Sequence, residues 1–428
     1  MALERRWKVI WIAAGVLGAA FVVLLLVNLS SGQVAVERKV EHLYSVAEPE
    51  FVRSMGTLLG PALLEGNRIE TLLNGEEIFP AMLAAIRAAR RTITFETYIY
   101  WSGEIGREFA AALSERARAG VRVHVLLDWL GAAKMEAELL DEMEAAGVEV
   151  EKYRPLHWYN LSRMNHRTHR KLLVVDGAVG FTGGVGIADS WQGQAEDPEH
   201  WRDTHFRLQG PAVAQMQAAF LDNWLELRSE VLHGDDYFPP LASAGEASAQ
   251  VFKSSFGEGS ESTRLMYLMS IACAAESILL SSSYFVPDAV AIEAFVAAKQ
   301  RGVRVELIVP GEHMDSKVVR RASRGLWGKL LEAGVEIHEY QPTMFHVKVL
   351  VVDGLWSSVG STNFDSRSFS LNDEANLNVL DAAFAAEQAR IFAEDKRHAR
   401  RITLEAWQSR PRSEKFQEWL SGLLRSQL

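Results

Sequence analysis

The sequence predicts an α/β protein made of two fused units, each built on a mixed, largely parallel sheet. Stretches typical of strands alternate with stretches typical of helices, as expected when helices connect the strands of a sheet. The alternation recurs in the second part of the chain, with matching segments in the same order. The chain has 428 residues, 48% of them hydrophobic, which suffices for two domains of ordinary size.

The first expected element is a transmembrane helix over residues 9–27. All 19 residues of this stretch are apolar, and at ~1.5 Å per residue they would cross about one bilayer core. Residues 1–8 are basic, with Arg5, Arg6 and Lys8, which predicts a cytoplasmic N-terminus and places the rest of the chain across the membrane. An uncleaved anchor is favoured over a signal peptide, because a signal peptide has a shorter apolar core.

Residues 28–66 are expected to form a juxtamembrane linker, since prolines and glycines interrupt them. The first unit is expected over 67–235, with a strand at 68–73 and helices at 76–91, 105–119 and 133–146. The second unit is expected over 250–400, with helices at 289–301 and 316–332. The break between them contains Pro239, Pro240 and Gly245. An example of the repeated segments is Gly120-Val121-Arg122-Val123, which parallels Gly302-Val303-Arg304-Val305.

Residues 401–428 are expected to contain a C-terminal amphipathic helix. Apolar residues beyond Pro411 recur at helical spacing, namely Phe416, Trp419, Leu420, Leu423 and Leu424. Such a face either lies in a membrane interface or packs on a neighbouring domain. Packing on the second unit is the favoured interpretation.

One short pattern occurs twice and organises the chain. The first copy is His169-x-Lys171, then Asp176 and Gly183-Gly184; the second is His346-x-Lys348, then Asp353 and Gly360-Ser361. The offset of 177 residues (346 minus 169) is shared by the histidine, lysine, aspartate and first glycine. Each copy opens a predicted strand, in which residues two apart point to the same side. Two such units facing each other would bring two imidazoles and two ammonium groups into one cleft.

That set of groups suits a phosphodiester substrate. Imidazole, with a pKa near neutrality, can act as the nucleophile on phosphorus or protonate the leaving alkoxide, so a pair can divide the two roles. The lysines would stabilise the negative charge that grows on the phosphoryl oxygens. The rest of the sequence has no metal-ligand spacing and no P-loop, so no cofactor and no metal are expected.

With these motifs, the chain resembles the phospholipase D superfamily and its HxK(x)4D(x)6G(S/G) motif, and more narrowly the bacterial cardiolipin synthases. The likeness extends from about residue 67 to about residue 380. It implies two fused phospholipase D-like α/β/α units with the active site at their interface. It also implies an enzyme anchored in the bacterial inner membrane that joins two phosphatidylglycerols and releases glycerol through a phosphatidyl-histidine.

The resemblance also implies the site residues. The catalytic set is His169, Lys171, Asp176, His346, Lys348 and Asp353. We expect His169 to be the nucleophile and His346 the acid, although the near symmetry permits the reverse. Because the two motif aspartates follow the strands, they are also expected to hold turns or pair with structural cations.

Outside the motif, an acidic residue supports the histidine of its own half, and the matching residues are Asp203 and Glu374. The Asn363 amide, with Ser361, is expected to contact the phosphate. Gly186 stands at the position in the first half that matches Asn363.

The expected partner is an anionic phospholipid, phosphatidylglycerol, and two basic segments, 152–171 and 316–331, are expected either to recruit its headgroup or to be ordinary surface. A net charge of −10 argues against nucleic acid as a partner, and the single cysteine, Cys273, excludes an internal disulfide. The alternatives are a hydrolytic phospholipase D, a phosphodiesterase acting on nucleic acid and a non-catalytic lipid-binding scaffold. Assembly as a homo-oligomer is left open.

Overall fold

The computed structural model describes residues 2–29, 40–156, 165–255 and 262–428. The predicted membrane span lies within helix α1 (Ala2–Leu29), although the side chains at 22–29 are outside the description. Among the described residues, no helix combines the length and the apolar character needed to cross a bilayer. The predicted transmembrane helix is therefore not confirmed. Apolar side chains of α1, such as Trp11 and Leu17, are exposed.

Part of the segment predicted as a linker is folded. It contains helix α2 (Pro49–Ser54) and a π-helical turn at Met55–Leu59. The Phe51 ring packs edge-on against the Trp356 ring with centroids 4.9 Å apart, and Met55 is fully buried in the same cluster. The segment from about residue 46 to Leu59 thus covers the second half of the chain. Its prolines and glycines indicated a loop, but its apolar residues find a core to fill.

The described part of the first half contains seven strands and four α-helices, and the three helices predicted there lie at bounds close to those expected. The strands are β1 (Leu64–Leu73), β2 (Thr92–Thr97), β3 (Arg122–Asp128), β4 (Glu149–Tyr153), β5 (Leu172–Val175), β6 (Val179–Gly183) and β7 (Thr204–Gln209). The helices are α3 (Asn74–Ala88), α4 (Glu104–Arg118), α5 (Ala137–Ala145) and α6 (Val213–Arg228).

The second half repeats this series and adds a C-terminal extension. The strands are β8 (Ala247–Ser254), β9 (Ser277–Ser282), β10 (Phe285–Val286), β11 (Arg304–Pro310), β12 (Glu336–Tyr340), β13 (Lys348–Val352), β14 (Trp356–Gly360), β15 (Phe364–Asp365), β16 (Glu374–Leu380) and β17 (Ala399–Ile402). The helices are α7 (Ser262–Ala272), α8 (Ala289–Gln300), α9 (Lys317–Gly325), α10 (Trp327–Glu332), α11 (Ser366–Ser370), α12 (Ala382–Arg397), α13 (Leu404–Gln408) and α14 (Arg412–Gly422).

A single large mixed sheet runs through both halves. It has 15 strands in the order β17-β12-β11-β9-β13-β14-β16-β8-β1-β7-β6-β5-β2-β3-β4. Outward from the junction of β1 and β8, the first half reads β1-β7-β6-β5-β2-β3-β4 and the second reads β8-β16-β14-β13-β9-β11-β12. The two orders correspond strand by strand, and β1 pairs antiparallel with β8. An approximate two-fold axis at this junction therefore relates the two halves.

The predicted α/β class and mixed sheet are confirmed, but the expectation of a separate, largely parallel sheet in each unit is wrong. In the large sheet, parallel pairing is confined to β2-β3-β4 and β9-β11-β12. The motif strands β5 and β13 pair antiparallel with both neighbours. The reason is that a short turn joins each motif strand to the next strand, and short turns produce antiparallel hairpins.

Three large apolar clusters of the described residues form most of the core, and one of them belongs to both halves. It contains Phe206 and Trp224 from the first half and Val349 and Phe384 from the second, all buried. The other two clusters lie under α3 to α5 and under α7, α8 and α10. Because both halves contribute to the cluster around Phe206 and Phe384, burial of apolar surface fixes the two halves against each other.

Candidate active site

Residues from both halves line one cavity of about 410 Å³. His169 and Lys171, which immediately precede β5, lie on one side of it, and His346, just before β13, lies on the other. Aromatic walls are added by Tyr98, Trp191, Trp201 and Tyr284. The spacing of two residues turns His169 and Lys171 to the same side of the chain, as predicted.

Two short parallel backbone bridges connect the halves beside this cavity. Thr168 pairs with Asp373, and Arg202 pairs with Phe345. The His169 backbone N–H donates to the Asp373 carbonyl at 2.8 Å, and the His346 N–H donates to the Arg202 carbonyl at 2.8 Å. Each histidine is therefore fixed next to the acidic residue that follows the bridge in the other half.

The side chains of the two histidines also contact acids of the opposite half. His169 Nδ1 lies 3.0 Å from both carboxylate oxygens of Glu374. His346 Nδ1 lies 2.7 Å from Asp203 Oδ2. The expectation that each acid supports the histidine of its own half is wrong, because the bridges place each acid beside the opposite histidine. A carboxylate on Nδ1 favours the tautomer that carries its proton there, which turns the Nε2 lone pair toward the cavity.

Electrostatics in the buried site keep both rings neutral and both acids charged. Burial lowers the pKa of His169 to about 4, against the opposing effect of Glu374. Burial likewise lowers the pKa of His346. Burial alone would raise the pKa values of Asp203 and Glu374, but the paired histidines and nearby lysines outweigh it, so both pKa values fall.

The two motif lysines are buried and easily deprotonated. Burial is the largest cause in each case, and it lowers the pKa of Lys171 to about 7 and that of Lys348 to about 8. Each ammonium donates to the backbone carbonyl of its motif histidine, Lys171 to His169 at 2.8 Å and Lys348 to His346 at 2.7 Å. Entry of an anion would offset the cost of burial and favour the charged form of both lysines.

The surroundings of the two histidines differ. Lys348 Nζ lies 3.2 Å from His346 Nδ1 and 3.3 Å from His346 Nε2, and it also donates to Ser283 Oγ at 2.9 Å. Among the described residues, His169 Nε2 has no such partner. The indole rings of Trp191 and Trp201 pack on His346 with centroids 5.3 and 5.6 Å away.

Trp191 is a site residue that the sequence reasoning missed. Its Nε1 donates to Asp203 Oδ2 at 2.9 Å, so it helps to hold the acid that orients His346. A Cβ at Gly186 would come within 2.9 Å of Ile99 and 3.2 Å of the Trp191 ring. Trp191 and Ile99 therefore crowd the place where an asparagine would match Asn363. The glycine at 186 was the available signal that another side chain occupies this space.

Asn363 and Ser361 are placed differently from each other. Asn363 lines the cavity, and its Oδ1 accepts from Ser283 Oγ at 2.5 Å, which leaves its Nδ2 as a donor. Ser361 is fully buried and donates to Glu374 Oε2 at 2.5 Å. The expectation that Ser361 contacts phosphate is not supported, because its hydroxyl lies behind Glu374 and holds that carboxylate in place.

The comparisons with known proteins agree with this arrangement. The family model described as "Cardiolipin synthase, PLD-like domain" matches residues 82–224 and 267–396. The chain belongs to this family.

Individual relatives confirm the resemblance predicted from the motifs. Over 356 residues the chain is 39% identical to the cardiolipin synthase of Geobacillus kaustophilus (strain HTA426), covering 82% of this chain and 71% of that protein. Over 364 residues it is 34% identical to the major cardiolipin synthase ClsA of Bacillus subtilis (strain 168), covering 84% and 75%. The solved phosphatidylserine synthase of Haemophilus influenzae Rd KW20 has a similar fold, with TM-score 0.66 and 14% identity over 84% of this chain and 95% of that one.

The third residue of each family motif does not reach the cavity. Asp176 accepts hydrogen bonds from the backbone N–H groups of Arg90, Arg91 and Thr92, at 2.7 to 3.1 Å. Asp353 accepts from those of Ala275, Glu276 and Ser277, each at 2.8 Å. Their inclusion in the catalytic set is therefore wrong, whereas the expectation that they hold turns is confirmed. Both sit beyond the far end of the motif strand, at φ 51° and 52°.

In the two basic segments several arginines are engaged within the protein, but Lys317, Arg321 and Lys329 are exposed. Arg167 is buried and donates to the Arg154 carbonyl at 2.7 Å, and Arg154 pairs with Glu226 at 3.0 Å. Arg320 pairs with Glu339 at 3.0 Å. Residues 157–164, including Arg163, lie outside the described residues. The described arginines of segment 152–171 therefore give little support to headgroup recruitment, whereas segment 316–331 keeps three exposed basic side chains.

Among the described residues, two groups of side chains have the composition of metal ligands. They are Glu196, Asp197 and His200, and Glu306, Glu336 and His338, with ligand atoms within 4.8 Å of one another in each group. Neither group lines the cavity. Glu306 is already paired with Lys396 at 2.5 Å. These groups do not bear on the chemistry of the two histidines.

Proposed function

We propose that this chain is a phosphatidyltransferase that makes cardiolipin from two phosphatidylglycerols. The observation that carries the proposal is the pair of buried histidines, each oriented by an acid of the other half, that face one cavity with a lysine beside each. His169 Nε2 attacks phosphorus of the first lipid and forms a P–N bond. The P–O bond to glycerol breaks, and His346 gives its proton to the departing oxygen. A hydroxyl of the second lipid then attacks, His346 takes its proton, and the P–N bond breaks.

The assignment of roles rests on the difference between the two rings. A nucleophile needs an available lone pair, and His169 Nε2 has no hydrogen-bond partner among the described residues. An acid needs a supply of protons, and Lys348 Nζ lies 3.3 Å from His346 Nε2. With a pKa near 4, His169 is neutral at physiological pH and ready to attack. The anionic substrate would favour the protonated form of His346.

The phosphoryl oxygens would be held by Lys171, Lys348 and the Asn363 amide. Charge on these oxygens grows in the transition state, and donors fixed in a buried site stabilise it strongly. In this mechanism the lysines provide the positive charge, so no divalent ion is required. Units 67–235 and 250–400 each supply one motif, and neither would form a complete site alone.

We further propose that α1 attaches the enzyme to the bacterial inner membrane in a single pass, with the catalytic units on the non-cytoplasmic side. Support comes from the unbroken apolar sequence at 9–27, the helical backbone and the exposed Trp11 and Leu17 side chains. The basic residues before it set the orientation. A reporter fused to the C-terminus is expected to give a non-cytoplasmic signal, and a cytoplasmic signal would overturn the orientation.

Lipid mass spectrometry of a cardiolipin-free bacterial host that expresses the chain tests the activity. Cardiolipin is expected to accumulate at the expense of phosphatidylglycerol, with none formed by the His169→Ala or His346→Ala variants. Phosphatidic acid without cardiolipin would instead identify a hydrolase. Unchanged lipids, with cleavage of soluble phosphodiesters in extracts, would indicate a phosphodiesterase of another class.

A further inference from the structure

The C-terminal helix α14 is packed with its apolar face outward. The side chains turned toward the protein are Glu418 and Ser421, both buried. The exposed side chains include those of the predicted apolar face, 52–62% accessible, and we call these the apolar stripe: Phe416, Trp419, Leu420, Leu423 and Leu424. The favoured expectation that this face packs on the second unit is therefore wrong. The helix does pack there, but through its polar side.

Ion pairs explain why the polar side faces inward. Glu418 receives two hydrogen bonds from the buried Arg410, at 3.0 and 2.7 Å. Arg324 of α9 lies 3.6 Å from Glu418 and 3.8 Å from Glu414. Breaking a buried pair by removing one partner leaves an uncompensated charge, so this orientation is held firmly. The stripe cannot turn inward without breaking these pairs.

The stripe has the character of a membrane-interface surface. Phe416 and Trp419 stack with ring centroids 5.9 Å apart, and aromatic rings favour the headgroup level of a bilayer. Arg412 and Lys415 are exposed and precede Phe416 and Trp419 by four residues each, so they lie along the same side of the helix. Apolar residues flanked by basic residues bind anionic lipid surfaces through both burial and charge.

A groove beside the stripe has matching chemistry. Its volume is about 510 Å³, and its walls include Trp407, Trp419 and Leu423 with the basic residues Lys415 and Arg425. The third basic residue of the groove, Arg410, is occupied by Glu418. Lys415 donates one hydrogen bond to the Gln408 carbonyl at 2.6 Å, which leaves its other ammonium N–H groups and the exposed Arg425 to meet a lipid phosphate. The indoles and the leucine would meet the glycerol and acyl portion of the lipid.

The stripe is also tied to the mouth of the active site. Beyond α14, the backbone carbonyls of Gln427 and Leu428 accept hydrogen bonds from Arg367, at 3.1 and 3.0 Å. The Gln427 side chain accepts from Asn165 Nδ2 at 3.0 Å. Arg367 and Asn165 both line the catalytic cavity. Only two residues separate Leu424 from Gln427, so the stripe lies close to the rim of the cavity.

From these features we infer that α14 is a docking surface for an anionic phospholipid bilayer and that it presents the catalytic cavity to the membrane surface. This inference rests on the proposed function, since it supplies the route by which bilayer lipid reaches the two histidines. It concerns a contact separate from α1. The helix α1 tethers the chain, whereas α14 orients the catalytic part.

A fluorescent label tests the contact directly in the full-length protein. Cys273 is buried, and burial raises the pKa of its thiol to about 12, so an added exposed cysteine is labelled selectively. Leu420→Cys carries an environment-sensitive probe, and Glu138→Cys on α5 carries the same probe as the matched control. In vesicles of phosphatidylglycerol and phosphatidylcholine, only the Leu420 probe is expected to shift to the blue and to be quenched by brominated acyl chains.

Two results would overturn the inference. The first is a Leu420 probe that stays in water, or responds no more than the Glu138 probe, while the protein is bound to vesicles. The second is a Leu420 probe that becomes buried without lipid as protein concentration rises, because the stripe would then be covered by a second copy.

Measurements of enzyme activity provide an independent test of the docking. Leu420→Gln with Leu423→Gln is expected to raise the apparent KM for phosphatidylglycerol vesicles about tenfold and to leave the rate on a short-chain soluble lipid within twofold. Leu43→Gln removes an exposed apolar side chain elsewhere, 76% accessible, and is expected to change neither. Equal losses on both substrates, or no loss on vesicles, would contradict docking. If the unmodified protein turns over neither substrate, it is the proposed function that fails.

Discussion

The crossed support of the histidines predicts which variants behave alike. Replacing Glu374 by Gln keeps the shape and a neutral hydrogen bond to His169 but removes the charge. Hydrogen bonds to charged groups contribute about 1.5–3 kcal/mol, and each ~1.4 kcal/mol is tenfold in rate. Glu374→Gln is therefore expected to slow the step that uses His169 by about 10- to 150-fold. Asp203→Asn is expected to do the same to the step that uses His346.

The leaving group separates the two steps. Measurements compare a natural lipid headgroup with a nitrophenyl ester, whose departure needs no proton. If His346 is the acid, the ester restores the first step, measured as the initial burst of nitrophenol, in both His346→Ala and Asp203→Asn, because Asp203 contacts His346 at 2.7 Å. The second step still needs His346 as the base. The ester rescues neither His169→Ala nor Glu374→Gln. If the roles of the two histidines are reversed, Glu374→Gln is still expected to respond to the ester in the same way as His169→Ala, because Glu374 contacts His169.

The pH dependence offers a second readout of the same variant. Glu374 opposes the lowering of the Lys171 pKa, so its loss moves that pKa further below 7. The alkaline fall in kcat/KM is then expected at lower pH in Glu374→Gln than in the unmodified enzyme. The opposite result would be that Glu374→Gln responds to the ester as His346→Ala does and that its kcat/KM falls at the same alkaline pH as in the unmodified enzyme. The crossed arrangement would then not operate in catalysis.

Three further outcomes are expected. In the unmodified enzyme, kcat/KM should decline above about pH 7 as Lys171 loses its proton. Lys171→Arg stays charged, so it should shift this decline toward pH 8, where Lys348 titrates. A decline at an unchanged pH in this variant would exclude Lys171 as the cause of the decline. Asp176→Ala should lower the free energy of unfolding, measured by chemical denaturation, by about 2 kcal/mol, since backbone N–H groups lose a charged acceptor. Asp176→Asn should lower it less and retain kcat, because asparagine tolerates positive φ. Loss of kcat in folded Asp176→Asn would instead indicate a catalytic role for Asp176. Exhaustive chelation should leave the rate on a soluble phosphodiester unchanged, and a loss reversed by a divalent ion would contradict a lysine-based mechanism.

The parts of the site that share one strand were accessible from the sequence. His169 and Lys171 lie two residues apart before β5, so their common side follows from local geometry. Their meeting with His346 followed from the repeat. The acids were also found, but their partners were not, because the bridge between Thr168 and Asp373 joins residues that are far apart in the chain. No spacing within a single sequence reports which half such a bridge will join.

The same limit applies to packing. The spacing of Phe416, Trp419 and Leu420 correctly predicted one apolar face of a helix. It could not predict that Arg410 and Arg324 would attach the opposite face to the protein. Likewise, Gly186 indicated an absent amide but not the indole of Trp191 that takes its place. Periodicity describes a helix surface, whereas the neighbour that covers it depends on the whole fold.

The continuity of the sheet across β1 and β8 bears on how such a protein diversifies. A half that closed on an identical copy would form two equivalent crossings, and any substitution would alter both at once. In a single chain, each side can accumulate its own changes. Gly186, with Trp191 beside it, stands where the second half has Asn363, and Tyr98 stands beside Lys171 where Ser283 stands beside Lys348. The fused chain therefore has a cleft with two unlike sides.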